Sequence, residues 1–129
     1  MILLDTHVLI WMASEPKRLS RKARGAIREA RAEAGIAIAT ITLWELAWLA
    51  QNGRVQVAGS VESFVREMVS RVMLRPLTPE IAALAVRLPS GFPTDPADRI
   101  IASTAIIDAA TLVTADERIR QASVVQTIW

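Results

Sequence analysis

Acidic side chains are the residues of this chain best suited to chemistry, and most of them stand where an apolar run gives way to a helical pattern. Four of the five aspartates and one glutamate do so: Asp5, Asp95, Asp98, Asp116 and Glu45. The sequence has no cysteine and one histidine, which disfavours zinc, whereas carboxylate oxygens suit Mg²⁺ or Mn²⁺. Such ions activate water towards phosphate esters, so the pattern predicts hydrolysis without a nucleophilic side chain.

Short apolar runs that alternate with helical patterns position these acids. The runs predict strands at Met1–Leu4, Ile36–Ile41, Val72–Leu77 and Thr111–Thr114, and a last strand around Val124–Val125. Caps and amphipathic spacing predict helices after Thr6, from Ser20 to Ala34, from Thr42 to Gly53, and from Ser60, Pro79, Asp95 and Asp116. This alternation predicts an α/β fold with helices on both faces of a central parallel sheet. The length fits a single domain over residues 1–129.

The acids are predicted to meet at one edge of that sheet. In parallel sheets, ligands bind beyond the carboxyl ends of the strands. Asp5, Glu45 and Asp116 follow strand ends, and the helix that opens at Asp95 brings Asp98 to the same edge. Carboxylates crowded in this way raise one another's pKa unless a cation lies among them. Asp5, Glu45, Asp98 and Asp116 are therefore the predicted catalytic and metal-binding residues.

Each acid also has a purely structural interpretation. Glu45 stands three residues after Thr42, which is the spacing of a capping box. Asp116 fits a helix N-cap, and Asp98 fits a first helical turn, where negative charge is favourable. Asp95 is interpreted chiefly as the cap of its helix, with a fifth metal ligand as the alternative. Only the convergence of several acids favours a metal over these separate roles.

Basic side chains supply a candidate phosphate-binding surface. Net charge is only +2, but all but two of the 15 basic residues are arginine, and seven basic residues lie between Lys17 and Arg31. Guanidinium groups pair well with phosphate, although an ordinary solvated helix face explains the pattern too. His7, near the start of the first helix, is assigned a structural or edge role, with contact to substrate as the alternative.

The helix predicted from Thr42 has two apolar faces. Leu43, Leu46, Ala47 and Ala50 form one, and Trp44 and Trp48 form the other. One face can pack on the sheet, so the other predicts contact with a second subunit or a partner helix, unless both are buried within the domain. No apolar stretch is long enough to span a membrane and no signal peptide is recognisable, so we expect a cytoplasmic protein.

Five segments, taken together, resemble the PIN-domain ribonucleases, specifically the VapC-type toxins of type II toxin-antitoxin pairs. They are Leu4–Trp11, Thr42–Leu46, Leu77–Ile81, Asp95–Ala102 and Leu112–Asp116, and their order and spacing agree over essentially the whole chain. The resemblance implies a three-layer α/β/α fold, Mg²⁺- or Mn²⁺-dependent endoribonuclease activity on RNA, a homodimer, and inhibition by a cognate antitoxin.

The resemblance also assigns roles to individual residues. It places Asp5, Glu45, Asp98 and Asp116 at the acidic positions of the family, with Thr6 and Thr114 as hydrogen-bonding supports for the aspartates. Members often carry a histidine shortly before the Asp-Pro-x-Asp-Arg segment and an aromatic residue at x. Here Gly91-Phe92-Pro93-Thr94 precede that segment and Ala97 fills x, which leaves substrate choice on this side open. Arg99 and the Lys17–Arg31 stripe are candidates for holding the RNA strand.

Other classes fit the sequence less well. A Mg²⁺-dependent aspartyl-phosphate phosphatase usually has a second aspartate two residues after the first, where this chain has His7. A phospho-accepting receiver domain relies on a lysine after its last strand, but the only lysines are Lys17 and Lys22. A serine hydrolase is disfavoured because the G-x-S-x-G motif is missing. A catalytically silent binding module remains an alternative.

Overall fold

Five short strands form the centre of the molecule: β1 (Ile2–Leu4), β2 (Ile36–Ala39), β3 (Met73–Arg75), β4 (Thr111–Val113) and β5 (Thr127–Ile128). In the computed structural model, which describes residues 1–129, they pair in the order β3-β2-β1-β4-β5. Every pairing is parallel. The predicted α/β fold with a central parallel sheet is confirmed.

Seven helices connect these strands. They are α1 (Thr6–Ser14), α2 (Arg21–Ala32), α3 (Ile41–Gln51), α4 (Val61–Met68), α5 (Pro79–Arg87), α6 (Pro96–Ile107) and α7 (Glu117–Ala122), with a 3-10 turn at Pro16–Arg18. The predicted caps at Ser20 and Thr78 are present, since each hydroxyl accepts a hydrogen bond from the backbone N–H three residues later. None of the helices combines the length and the apolar character needed to cross a membrane.

Helices cover both faces of the sheet. Ile2 and Leu4 of β1 belong to a core that includes Val8 of α1, whereas Leu3 belongs to a second core with Ile101 of α6. Successive strand residues point to opposite faces, so a strand covered on both sides must be apolar throughout. This requirement explains the uninterrupted apolar runs of the sequence and confirms the three-layer arrangement.

Most predicted boundaries agree with the structure to within two residues, but the start of α3 and the position of the last strand differ in ways that matter for the fold. β2 ends at Ala39 and α3 begins at Ile41, so Thr42 lies inside the helix and is fully buried. The last strand is Thr127–Ile128, not Val124–Val125. Ser123 ends α7 in the left-handed region (φ 57°), and the register of the edge strand then pairs Leu112 with Thr127, three residues later than the apolar pattern indicates.

The direction in which successive strands are added to the sheet reverses between β1 and β4, in the middle of the sheet. From β1 the chain continues to β2 and β3 on one side and returns to β4 and β5 on the other side. At such a reversal, the connections that leave the two neighbouring strands diverge and open a crevice at their carboxyl ends. Asp5 follows β1 and Asp116 lies three residues beyond β4, so both stand at this crevice.

Candidate active site

Asp5 occupies the centre of the acidic edge and is almost completely buried, with 4% of its surface exposed. It caps α1, because Oδ1 accepts a 2.8 Å hydrogen bond from the N–H of Thr6. Oδ2 accepts a 2.7 Å bond from the hydroxyl of Thr114. Burying a carboxylate is costly unless donors surround it, and these two donors meet part of that cost. The predicted support of Asp5 by Thr114 is therefore present.

Thr114 also positions Asp116. Its Oγ1 accepts a 3.1 Å hydrogen bond from the N–H of Asp116, and its side chain has no exposed surface. Asp116 is the N-cap of α7, where Oδ1 accepts hydrogen bonds from the N–H groups of Arg118 and Ile119. The cap interpretation thus accounts for one of its oxygens, and the other, Oδ2, has no hydrogen-bond partner within the chain. One buried hydroxyl consequently connects two of the four predicted acids.

Glu45 is held by a hydroxyl pair that links α1 to α3. The hydroxyl of Thr6 donates to Oε1 of Glu45 and lies 3.0 Å from the hydroxyl of Thr42. Because Thr6 gives its proton to Glu45, Thr42 must donate to Thr6. The capping-box interpretation of Thr42 and Glu45 is therefore wrong, since Thr42 lies within the helix with its side chain turned towards Thr6. Sequence reasoning missed this role of Thr42 because the contact joins residues 36 positions apart.

Burial and neighbouring carboxylates raise the pKa of Glu45. Desolvation is the largest cause, and the charges of Asp5 and Asp95 add to it, while the hydrogen bond from Thr6 acts in the opposite direction. A Glu held in this way keeps a high affinity for any positive charge, because its ionised form is poorly compensated by the protein alone. Thr6 is predicted to hydrogen-bond an aspartate. Its hydroxyl instead donates to Glu45, and only its backbone N–H donates to Asp5.

Asp98 lies in the first turn of α6 and responds to every other acid at this edge. Burial, followed by the charges of Asp5, Asp95, Asp116 and Glu45, raises its pKa to about 7. These charges act on the Asp98 carboxyl only if each of the four other acids lies in its neighbourhood. Asp95 caps α6, since its Oδ1 accepts a 2.9 Å hydrogen bond from the N–H of Ala97, so the cap interpretation of Asp95 is confirmed.

The donor set at this edge suits a hard cation. It consists of carboxylate oxygens in a region of concentrated negative charge, without thiolates, which is the chemistry that Mg²⁺ and Mn²⁺ favour. As the side chains stand, no three acidic or histidine groups converge closely enough to enclose an ion. The residues therefore fit a divalent ion by charge and donor type, and rotation of side chains is required to close a shell around it.

His7 ties the β4–α7 connection to α1. Its Nε2 accepts a 2.9 Å hydrogen bond from the N–H of Ala115, and its Nδ1 lies 3.7 Å from Oδ2 of Asp5. An imidazole that accepts at Nε2 carries its proton on Nδ1, which therefore faces the carboxylate. The structural role predicted for His7 is present, and the residue it fixes in place is the one directly before Asp116.

Arg99 has a different role from the one expected. Its guanidinium donates to backbone carbonyls at the end of α5 and in the following loop, among them Ala85, Leu88 and Pro93 at 3.1, 3.2 and 2.9 Å. It is thus engaged within the protein, and the expectation that Arg99 holds RNA is wrong. The loop from 89 to 95 forms few backbone hydrogen bonds, so its carbonyls need donors from side chains. That need could have indicated from the sequence that Arg99 binds this loop.

The two predicted contact surfaces are both exposed. Every basic residue of α2 faces solvent, which agrees with either interpretation of the basic stripe. On α3, 60% of Trp44 and 45% of Trp48 is exposed, while Leu46 is fully buried. The alternative in which both apolar faces of this helix are buried within the domain is therefore wrong.

Known proteins share both this fold and this sequence pattern. The PIN domain family model matches residues 2–125. Ribonuclease VapC22 of Mycobacterium tuberculosis is 47% identical over 119 residues, which cover 92% of this chain and 89% of the relative. The crystal structure of VapBC2 from Rickettsia felis bound to a promoter DNA fragment superposes with a TM-score of 0.75 at 20% identity, covering 99% of this chain and 98% of that one. A toxin-antitoxin complex from Klebsiella pneumoniae gives 0.71 at 24% identity, covering 100% and 97%.

A parallel sheet with a crevice at the carboxyl ends of its central strands defines an α/β protein of the class that binds ligands at that edge. This chain belongs to the PIN-domain family, within its VapC group. The resemblance inferred from the five motifs is thereby confirmed, and so is the prediction of a nuclease.

Proposed function

We propose that this chain is a divalent-metal-dependent endoribonuclease, the toxin of a toxin-antitoxin pair, and that it acts in the cytoplasm as one PIN-like domain over residues 1–129. The observation that carries the proposal is the placement of the acids: Asp5 is buried at the end of β1 and bonded to Thr114, and Asp116 follows β4. The pKa of Asp98, raised to about 7 by burial and by the surrounding acids, agrees with this placement. Several of these acids also cap helices, but an edge that gathers this much negative charge is stabilised by a cation.

Asp5, Glu45, Asp98 and Asp116 are the residues that would hold the ion, Mg²⁺ or Mn²⁺. When bound, such an ion lowers the pKa of water and neutralises charge on a phosphoryl oxygen, which is what hydrolysis of an RNA phosphodiester requires. Carboxylates suit such an ion because they bind hard cations and leave coordination positions for water and phosphate oxygens.

The residues around the acids fix their orientation. Thr114 holds the Asp5 carboxylate and the backbone of Asp116, and the Thr6 hydroxyl holds Glu45. His7 restrains the β4–α7 connection through Ala115. Preorganised ligands spare the site the cost of ordering them when substrate arrives. Asp98, which has no side-chain hydrogen bond to the protein, is the acid best able to move towards an ion and to release its proton on binding.

The partners follow from the relatives and from the exposed surfaces. Several solved structures of this fold are toxin-antitoxin complexes, which supports a cognate antitoxin for this chain. The exposed face of α3, with Trp44 and Trp48, supports a homodimer, because two large indole rings in water are stabilised when a second copy covers them. The arginines of α2 are candidates for the RNA backbone.

Cleavage of RNA with and without metal tests the proposal. We expect hydrolysis in Mg²⁺ or Mn²⁺, none in chelator, and a loss of at least about 100-fold in Asp98→Asn, because even residues that only orient metal ligands contribute about 10- to 100-fold. Calorimetric titration with Mn²⁺ should show weaker binding in the same variant. Glu80→Gln, which removes an exposed acid at the start of α5, is the matched control and should behave as wild type. Full activity of Asp98→Asn, or activity in chelator, would contradict the mechanism.

A further inference from the structure

A pocket of about 650 Å³ opens beside the acidic edge and is separate from it. Its floor is one stripe of α1 formed by His7, Ile10, Trp11 and Ser14, which follow one another at helical spacing. Residues that follow α3, including Arg54, and two residues of α4, Phe64 and Met68, also line it. His7 is common to both regions, because it lines this pocket and also faces Asp5.

Flat groups pack around Trp11, which lines this pocket. The ring of Trp11 lies against that of His7, with centroids 4.9 Å apart, and against that of Trp129 at 5.9 Å. The guanidinium of Arg18 lies over Trp11 at 4.0 Å from the ring centroid. Arg18 also pairs with Glu15 at 3.0 Å, which holds the guanidinium in place above the indole. Trp11 and Arg18 therefore form one preorganised platform, a planar cation on an aromatic ring.

The charge of the pocket is opposite to that of the neighbouring acidic edge. Arg18 and Arg54 both line it, and Arg54 is exposed and forms no ion pair. The only acid of the lining is Glu15, which is already paired with Arg18. A ligand that enters here thus meets positive charge and flat apolar surface together, and a negatively charged ligand with planar groups matches both.

We propose that this pocket binds an unpaired nucleobase of the RNA substrate, stacked on the Trp11–Arg18 platform, while Arg54 contacts the adjoining phosphate. Unpaired bases stack on aromatic rings and on arginine planes, whereas phosphates pair with guanidinium groups. Trp11 is four residues from His7, or about 6 Å along the helix axis, so the base lies next to the acids without covering them. The inference rests on the proposed ribonuclease function and adds a subsite that selects single-stranded RNA.

Binding without cleavage tests this subsite. Metal-free protein in chelator is titrated into a fluorescein-labelled single-stranded RNA oligomer and followed by anisotropy. Stacking contributes roughly 5- to 150-fold per base, so Arg18→Met should weaken binding by about tenfold or more. Trp11→Phe, which keeps a ring, should lose less. Arg54→Met should reduce the slope of log affinity against log salt by about one. Arg87→Met, at an exposed helical arginine outside the pocket, should match wild type.

Abasic substitution separates contact with a base from contact with a phosphate. Removing the base at one position next to the cleavage site should lower kcat/KM of the wild type by about tenfold or more, the same factor as the loss of affinity expected for Arg18→Met. In Arg18→Met the same removal should have little further effect, since the platform is already lost. Unchanged RNA affinity of both Arg18→Met and Arg54→Met would overturn the subsite and leave metal-dependent cleavage untouched.

A protein ligand gives a different result. If the arginine variants bound RNA normally and lost affinity only for the antitoxin, the pocket would be a protein-binding surface and the proposal would be wrong. If the wild type bound RNA through these residues but never cut it, the proposed function would fail while the subsite stood.

Discussion

The Thr114 hydroxyl donates a 2.7 Å hydrogen bond to Oδ2 of Asp5, across 109 positions of sequence. Oγ1 of Thr114 in turn accepts a hydrogen bond from the N–H of Asp116. A single buried side chain thus links the Asp5 carboxylate to the backbone of Asp116 at the ends of β1 and β4. Replacing it affects both the stability of the fold and the geometry of the acidic edge.

Thr114→Val tests this connection at nearly constant volume. The variant leaves a buried Asp5 oxygen and the Asp116 N–H without their partner, and such losses cost about 1–3 kcal/mol each in free energy of unfolding. Affinity for Mn²⁺ should fall by about 10- to 100-fold, as expected for a residue that orients a metal ligand. Chemical denaturation and calorimetric titration measure the two effects.

Thr114→Ser is the control for the hydroxyl itself. It keeps the hydrogen-bonding group and removes only a methyl, so Mn²⁺ affinity should recover most of the wild-type value even if some stability is lost. Equal Mn²⁺ affinities in the valine and serine variants would show that the hydroxyl has no part in the metal site.

The raised pKa of Asp98 predicts an unusual dependence of stability on pH in the metal-free protein. Between about pH 4 and pH 7 the folded state keeps a proton on Asp98 that the unfolded chain has released. The folded state therefore binds more protons, and the free energy of unfolding falls as pH rises through this window. Asp98→Asn removes the effect and should be about 1–2 kcal/mol more stable than wild type at pH 8. The difference is no larger because Asp98 is only partly buried and solvent screens its charge.

The free energy of unfolding is measured against pH in chelator for the wild type and for Asp98→Asn. The difference between the two proteins isolates the effect of Asp98 from that of other titrating groups. It should vanish near pH 3, where the wild-type carboxyl is protonated in both states. Added Mn²⁺ should stabilise the wild type at pH 8 far more than the variant, because only the wild type has the fourth carboxylate. A variant no more stable than wild type at pH 8 in chelator would mean that Asp98 is not under electrostatic strain.

The main features of the fold were predictable because they depend on local sequence. Strands buried on both faces must be apolar throughout, so β1, β2 and β4 stood out as runs. The helices from Ser20 and from Thr78-Pro79 were marked by caps whose hydrogen bonds span only three residues. In a parallel sheet, strand ends share an edge, so the position of Asp5 followed from the pattern alone.

The errors arise where distant contacts decide between local options. Thr40 and Thr42 can both begin a helix, and the contact of Thr42 with Thr6 places it inside α3. Val124–Val125 has the stronger strand composition, but hydrogen bonding to β4 selects Thr127 and Ile128 for β5. No local pattern predicts either contact, because each joins segments that meet only after the sheet has formed.

Ser103 offers a test of packing away from the acids. It lies on α6 with no exposed surface, and its Oγ has no hydrogen-bond partner. A buried hydroxyl without a partner costs stability, so Ser103→Ala should raise the free energy of unfolding by about 1 kcal/mol. Thr104→Val is the comparison, because the Thr104 hydroxyl donates to the carbonyl of Ile100 at 2.7 Å and its loss should not stabilise the protein. Denaturant midpoints at equal slope give both values.

The exposed indoles of α3 predict self-association. Trp44 and Trp48 lie one helical turn apart and border a shallow pocket with Glu45 and Asp95, so a second copy seated on them would cover one side of the acidic edge. Trp44→Glu places a charge where an apolar contact is required and should convert a dimer to a monomer in light scattering coupled to size exclusion. Val86→Glu, at a residue 80% exposed on α5, adds the same charge elsewhere and should leave the mass unchanged. If Val86→Glu dissociated the dimer and Trp44→Glu did not, the interface would lie on α5 and the two indoles would be left for another partner.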